Sequence, residues 1–222
     1  MLLFLICVVG VAVVLYARDQ RQANAAPRAG EDHWHAAYTI AECGEFRPAL
    51  TSAAQDRLGI HTHEDGLIHI EPFLDGAAGT NAKLRLFLDY VRVTLTDSLA
   101  TFPDGTTWDE ATAECDGSPA QIVVARWIDG QDAADGERPN EVLTEDFDGL
   151  RFRNDREAYT IALIAEDELD EIPVRPDIVE ELNSASESPP STRPTPPTTA
   201  DGATTTSVVT DDVSVTTAPT GG

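Results

Sequence analysis

The sequence predicts an α+β fold: a small, mostly antiparallel sheet with one main helix, β-grasp-like in arrangement, behind an N-terminal transmembrane helix and ahead of a disordered tail. Three observations lead there. Short alternating or β-branched runs separated by turn residues recur over residues 31–182, and one stretch among them has helical spacing. Both ends of the 222-residue chain differ sharply in composition from that body.

Leu2 to Ala17 are sixteen consecutive apolar or small residues, ending at Arg18. A spanning helix needs about 17–20 such residues, whereas a secretory h-region is about 7–15 long and follows a positive n-region. Arg18, Asp19 and Arg21 lie between this run and the Ala23-Asn24-Ala25 motif, an unusually charged approach to a cleavage site, so residues 1–17 read as an uncleaved signal-anchor. A cleaved signal peptide, cut near Ala25 in Ala23-Asn24-Ala25, with secretion of the rest, is the alternative. Residues 18–30 form a polar linker. Its Arg18, Arg21 and Arg28 count as cytoplasmic by the positive-inside rule, but the acidic body, the tail and the cysteines all point outward. The expectation is a single-pass protein of the cell membrane with an extracytoplasmic body.

Within residues 31–182, His33–Cys43 alternates as a strand, with Trp34, Ala36, Tyr38 and Ile40 on one face and His33 and His35 on the other. Ile60–Phe73 reads as a hairpin turning at Glu64-Asp65-Gly66. Residues 80–91 have helical spacing at Leu84, Leu88 and Val91, with Thr80 or Asn81 as the cap. Arg92–Thr96 and Gln121–Ile128 are strands by β-branched content. Leu150–Arg153 and Ala158–Ile164 are expected to form a second hairpin across Asn154-Asp155. Residues 183–222 are the tail: from Ser184 onward they hold 11 Thr, 6 Ser and 6 Pro and no aromatic residue, too little apolar surface to offset chain entropy.

Charge excludes one function class. The chain has 39 acidic against 15 basic residues and a formal net charge of −24, so a phosphate backbone would be repelled. The acids are dispersed except for Glu166-Asp167-Glu168-Leu169-Asp170-Glu171, which lacks the spacing and central Gly of an EF-hand loop and reads as a solvated surface. Cys7 falls in the apolar run, which leaves Cys43 and Cys115 as an even pair in the body. In an exported domain such a pair is expected to form a disulfide.

All five histidines lie between positions 33 and 69, as His33-x-His35, His61-x-His63 and His69, with Glu71 following. Residues two apart on a strand share a face, so each H-x-H pair offers two imidazoles to one ion. Hairpin register decides whether His69 joins. A two-residue Asp65-Gly66 turn sets His63 opposite Ile68 and puts His69 on the face of Thr62. A three-residue Glu64-Asp65-Gly66 loop with left-handed Gly66 sets His61 opposite His69, so that His61, His63, His69 and Glu71 share one face. The second form also lets Leu67, Glu71 and Phe73 alternate consistently against Ile68, Ile70 and Pro72. The candidate metal residues are therefore His33, His35, His61, His63, His69 and Glu71, and imidazole donors suit Zn or Cu. Local hydrogen bonding of half-exposed histidines is the bland reading, and acid–base catalysis by a His–carboxylate pair is a third. His61-Thr62-His63-Glu64-Asp65 approaches the metallo-β-lactamase H-x-H-x-D-H motif, but Gly66 replaces its last His. The body is too short for an amidohydrolase barrel, and no Gly-x-Ser-x-Gly elbow is present.

Asp32-His33-Trp34-His35-Ala36-Ala37 together with Gly59-Ile60-His61-Thr62-His63-Glu64-Asp65-Gly66-Leu67-Ile68-His69-Ile70-Glu71-Pro72-Phe73 resembles a set of uncharacterised, N-terminally membrane-anchored bacterial proteins. The likeness covers about residues 31–166 and includes a strand like Ala158–Ile164 near the domain end. The resemblance implies no established activity. It places a further His where this chain has Glu71, which would exchange a nitrogen ligand for oxygen.

The functional expectation is a membrane-tethered extracytoplasmic domain, non-enzymatic, with a His-cluster metal or ligand site. One alternative is a small metal-dependent hydrolase using His61, His63 and His69 as ligands and Glu71 or Asp65 as base. The other is a purely structural envelope module. Imidazoles converging in a cleft with an open coordination position would favour the enzyme, and splayed ones a structural role.

Overall fold

The computed structural model describes residues 2–23, 26–51, 55–169 and 172–185. The tail beyond residue 185, and Asn24-Ala25 of the cleavage motif, lie outside the described residues. So does the unit formed by residues 190–222, the described residues all belonging to the unit 1–189.

The apolar run lies in helix α1 (Leu2–Ala23). Its described side chains, those of residues 7–17, are exposed. No helix among the described residues is long and apolar enough to cross a membrane.

The body contains strands β1 (Trp34–Glu42), β2 (Glu45–Phe46), β3 (Ile60–His61), β4 (Leu67–Ile70), β5 (Thr94–Leu95), β6 (Leu99–Thr101), β7 (Thr107–Asp109), β8 (Glu114–Cys115), β9 (Ser118–Trp127), β10 (Glu141–Leu143) and β11 (Ala158–Ala165). Helices α2 (Leu84–Val91), α3 (Gly130–Ala134) and α4 (Pro176–Ala185) pack around them. The main sheet runs β10-β9-β11-β1-β4-β3, with β2 on β1 and β8 on β9, and β5-β6-β7 form a small antiparallel sheet. The fold is thus α+β, as expected.

The central pair corrects the expected topology. β1 and β11 are parallel, Ala37 facing Ala158 and Ile40 facing Ile161, which makes the sheet mixed. β11 is buried along its whole length, and its other edge is taken by β9 over eight residue pairs, Ala158↔Trp127 to Ala165↔Ala120. The expected hairpin of Leu150–Arg153 with Ala158–Ile164 therefore does not form, because both edges of β11 are occupied; Arg151 bridges to Lys83 instead. That bridge also corrects the start of the helix. Thr80 and Asn81 lie in a 3-10 turn, Gly79–Asn81, and α2 begins at Leu84 with Lys83 at its N-cap and no side-chain cap. The free Leu84 N–H donates instead to the Leu150 carbonyl at 2.9 Å.

Period-two alternation sends the strands' side chains to two different coverings. One face carries Tyr38, Ile40, Ile68, Ile70, Ile122, Val124 and Ile161 into the larger core, with Phe87 and Leu88 of α2 and Trp108 of β7. The other is rich in alanine, with Ala37, Ala41, Ala125, Ala158 and Ala162, and these short side chains let Ile178 and Leu182 of α4 lie close against the sheet. Cys43 and Cys115 form a disulfide with Cα atoms 5.2 Å apart, at the end of β1 remote from His33 and His35.

Candidate metal centre

The histidines occupy the alanine-rich face, at the end of the sheet near the start of β1. Pairing aligns them. His35 of β1 faces His69 of β4, and His61 of β3 faces His69 from the other side, so three imidazoles form one row across three strands. His33 and His63 lie two residues from His35 and His61, and Glu71 two from His69. The register is the one in which His61 opposes His69, with Gly66 left-handed at φ 82° and Glu64 at φ 69°.

Backbone geometry is set by residues around the row. Asp65 Oδ1 accepts the Leu67 N–H at 3.0 Å and Thr62 Oγ1 accepts the Glu64 N–H at 3.2 Å, which close the 62–67 loop. Gly66 packs beneath α4, where a Cβ would lie 2.7 Å from Ile178 Cδ1. Gly59 lets β3 approach β4: a Cβ there would lie 2.0 Å from the Glu71 carbonyl oxygen. The start of β1 is held from the opposite side. The His35 N–H donates to Asp155 Oδ1 at 2.8 Å, and the His35 carbonyl accepts the Arg156 N–H at 2.8 Å. That loop is anchored by Glu157, fully buried, which accepts from the Arg153 N–H, Asn154 Nδ2 and Tyr159 Oη. Burial holds the Glu157 carboxyl above its ordinary range despite these donors.

The imidazoles converge. His33 Nε2 lies 3.1 Å from His35 Nε2, and His61 Nε2 lies 3.2 Å from His63 Nε2. Two nitrogens bound to one tetrahedral ion at about 2.0–2.1 Å stand roughly 3.3 Å apart, so both pairs are already near ligand spacing. His69 is between them, its ring centroid 4.7 Å from that of His35 and 4.4 Å from that of His63. Two groups, His33-His35-His69 and His61-His63-His69, each place three ligand atoms within 4.8 Å of one another.

Carboxylates stand behind the rings. Glu71 Oε2 is 3.1 Å from His33 Nδ1, and Asp56 Oδ2 is 2.8 Å from His61 Nδ1; both approaches are close but bent from the N–H line. Asp65 Oδ2 meets His69 Nε2 at 3.0 Å. The carboxylates stand on the Nδ1 side of His33 and His61, and the Nε2 atoms of these rings face His35 and His63. Burial opposes ionisation of Asp65, but the bonds from His69 and the Leu67 N–H outweigh it and hold the carboxyl at about 2. Asp56 is likewise lowered, burial being overcome by His61 and the Gly59 and Leu58 N–H groups. His33 lowers Glu71. The His35 imidazole, 6% exposed, is pushed down to about 4 by burial first and by His69 and His33 next, and His63 is lowered by the same kinds of cause. Near neutral pH the cluster therefore presents three carboxylates beside imidazoles of which His35 and His63 are held neutral. That arrangement attracts a cation.

All six sequence candidates meet at one place. Of the neighbouring acids, Asp65 joins them, while Asp32 and Glu31 pair with Arg28 instead. Asp56 and Asp155 were missed. Asp56 stands three residues before Gly59, and its Oδ1 accepts the Leu58 and Gly59 N–H groups at 2.9 and 2.8 Å. That Asx-turn spacing was its one local signal.

No protein-family model, curated protein or solved structure matches this chain.

Proposed function

We propose that this chain is a membrane-tethered, extracytoplasmic domain that binds a transition-metal ion through its histidine row. The observation that carries this reading is the convergence of five imidazoles on one face, two pairs of them at near ligand spacing, with carboxylates behind the rings. An all-nitrogen donor set without thiolate suits Zn²⁺ or Cu²⁺. The tether rests on the apolar run Leu2–Ala17, and the outward orientation on the Cys43–Cys115 disulfide, since such bridges persist in oxidising compartments. The central parallel pair of β1 and β11, flanked by antiparallel arms with α2 on one face, supports the β-grasp-like description.

A hydrolase is the second reading. Glu71 Oε1 stands 3.9 Å from His61 Nε2, within reach of a water on a metal at that pair. The binding role takes precedence because Glu71 also engages His33 and is held as a stable anion, whereas a general base works best with a pKa near the operating pH.

The test uses the full chain in detergent, stripped with EDTA and dialysed against Zn²⁺ or Cu²⁺, with metal counted by mass spectrometry. At least one equivalent retained per chain is expected, reduced in His69→Ala, which lies in both groups. Folded, disulfide-intact protein that retains no metal would overturn the reading.

A further inference from the structure

We infer that the histidine row is a two-ion site, with one divalent transition-metal ion on His33 and His35, a second on His61 and His63, and His69 placed to complete either group. This rests on the metal-binding reading and extends it to nuclearity.

The argument is topological and chemical. β4 is the middle strand of three; Leu67 and His69 lie on its alanine-rich face, and Glu71 follows just beyond its end, two residues from His69. The flanking strands each bring one H-x-H pair to that same face, β1 on one side and β3 on the other. Each pair is closed within itself, at 3.1 and 3.2 Å between Nε2 atoms, rather than collected around a single centre. Each has its own carboxylate against an Nδ1, Glu71 for His33 and Asp56 for His61. A single-ion site would need only one such pair and one such support. The duplication extends to the third ligand, because His69 completes a three-nitrogen group with either pair. Glu71 also spans the divide, with Oε2 on His33 and Oε1 3.9 Å from His61 Nε2.

Charge permits double occupancy. Asp56, Asp65 and Glu71 set three carboxylates against the rings, 2.8 Å from His61, 3.0 Å from His69 and 3.1 Å from His33, to offset most of the four positive charges that two divalent ions bring. Having one third ligand for two pairs has a consequence for binding order. The second ion meets the charge of the first and competes for His69, so it binds more weakly, and the two equivalents are resolved as separate steps.

The experiment titrates EDTA-stripped full-length protein with Zn²⁺ under native mass spectrometry, and with Cu²⁺ under electron paramagnetic resonance. Wild-type protein is expected to take two Zn²⁺ in successive steps. The His33→Ala/His35→Ala and His61→Ala/His63→Ala variants are each expected to lose one ion and keep the other. The second equivalent of Cu²⁺ should produce a dipole-coupled spectrum with a half-field transition that the first does not. This wild-type measurement decides the matter even where a variant fails to fold. Saturation at one ion, abolished by either pair variant, would overturn the two-ion inference and leave metal binding intact. Two ions without magnetic coupling would overturn their placement on the adjacent pairs either side of His69. Folded wild-type protein that takes no ion would overturn this inference and the proposed function together.

Discussion

Replacing Gly66 by alanine asks whether helix α4 determines the shape of the histidine loop. Two costs add at this position. Its φ of 82° lies where an L-residue loses about 1–2 kcal/mol. A Cβ would also stand 2.7 Å from Ile178 Cδ1 and 2.9 Å from its Cγ1, and overpacking a filled core costs about 1–3 kcal/mol. Gly66→Ala should therefore destabilise the protein by about 2–5 kcal/mol. Gly105 provides the control: its φ is 87°, but a Cβ there meets nothing within 4 Å. Gly105→Ala should show the backbone cost alone, about 1–2 kcal/mol. Ile178→Ala, at a side chain 5% exposed, should cost about 2–5 kcal/mol by itself. Combined with Gly66→Ala it removes the overpacking, so the double variant should be more stable than the sum of the singles implies, by about 1–3 kcal/mol. Urea unfolding midpoints at constant slope provide the assay. Equal losses at positions 66 and 105, or a cycle that closes to within about 0.5 kcal/mol, would refute the packing argument.

Other perturbations have separable outcomes. Replacing Cys43 and Cys115 together opens a bridge across 72 residues, with an expected loss of about 4 kcal/mol from chain entropy, read as a lower unfolding midpoint under non-reducing conditions. Asp56→Asn removes the carboxylate behind His61 and should weaken Zn²⁺ binding by about 10–100-fold in a competition titration, with the unliganded fold retained; unchanged affinity would remove Asp56 from the site. In metal-free protein, His35 has a folded pKa of about 4 against about 6.5 unfolded, so the unfolded chain takes up a proton that the folded chain refuses. Stability is then full above about pH 6.5 and falls by about 3 kcal/mol as the pH drops to about 4. Asp65, held at about 2, adds its own loss only below its ordinary range. A flat stability curve between pH 6.5 and 4.5 would contradict the burial of a neutral His35.

Much of this protein was determined by sequence alone, through effects that act within a few residues. Period two put His33 with His35 and His61 with His63 on common faces, because successive Cβ atoms on a strand point oppositely. Glu64-Asp65-Gly66 marked the turn, but these residues allow two registers; the one that brings His61 opposite His69 has both Glu64 and Gly66 at positive φ. The evenness of the body cysteines foretold the bridge. Helix α4 carried legible signals too, with Pro176 at its start and Ile178, Val179 and Leu182 on one side, yet its importance lies in what it covers. Tertiary structure alone decided that β1 lies beside β4, setting His35 opposite His69, and that β11 enters the sheet parallel to β1, displacing the expected hairpin. Backbone donors and acceptors are alike on every strand edge. Which edges meet is chosen by burial of whole faces, the alanine-rich one under α4 and the larger one under α2, and that choice turned two separate histidine pairs into one row.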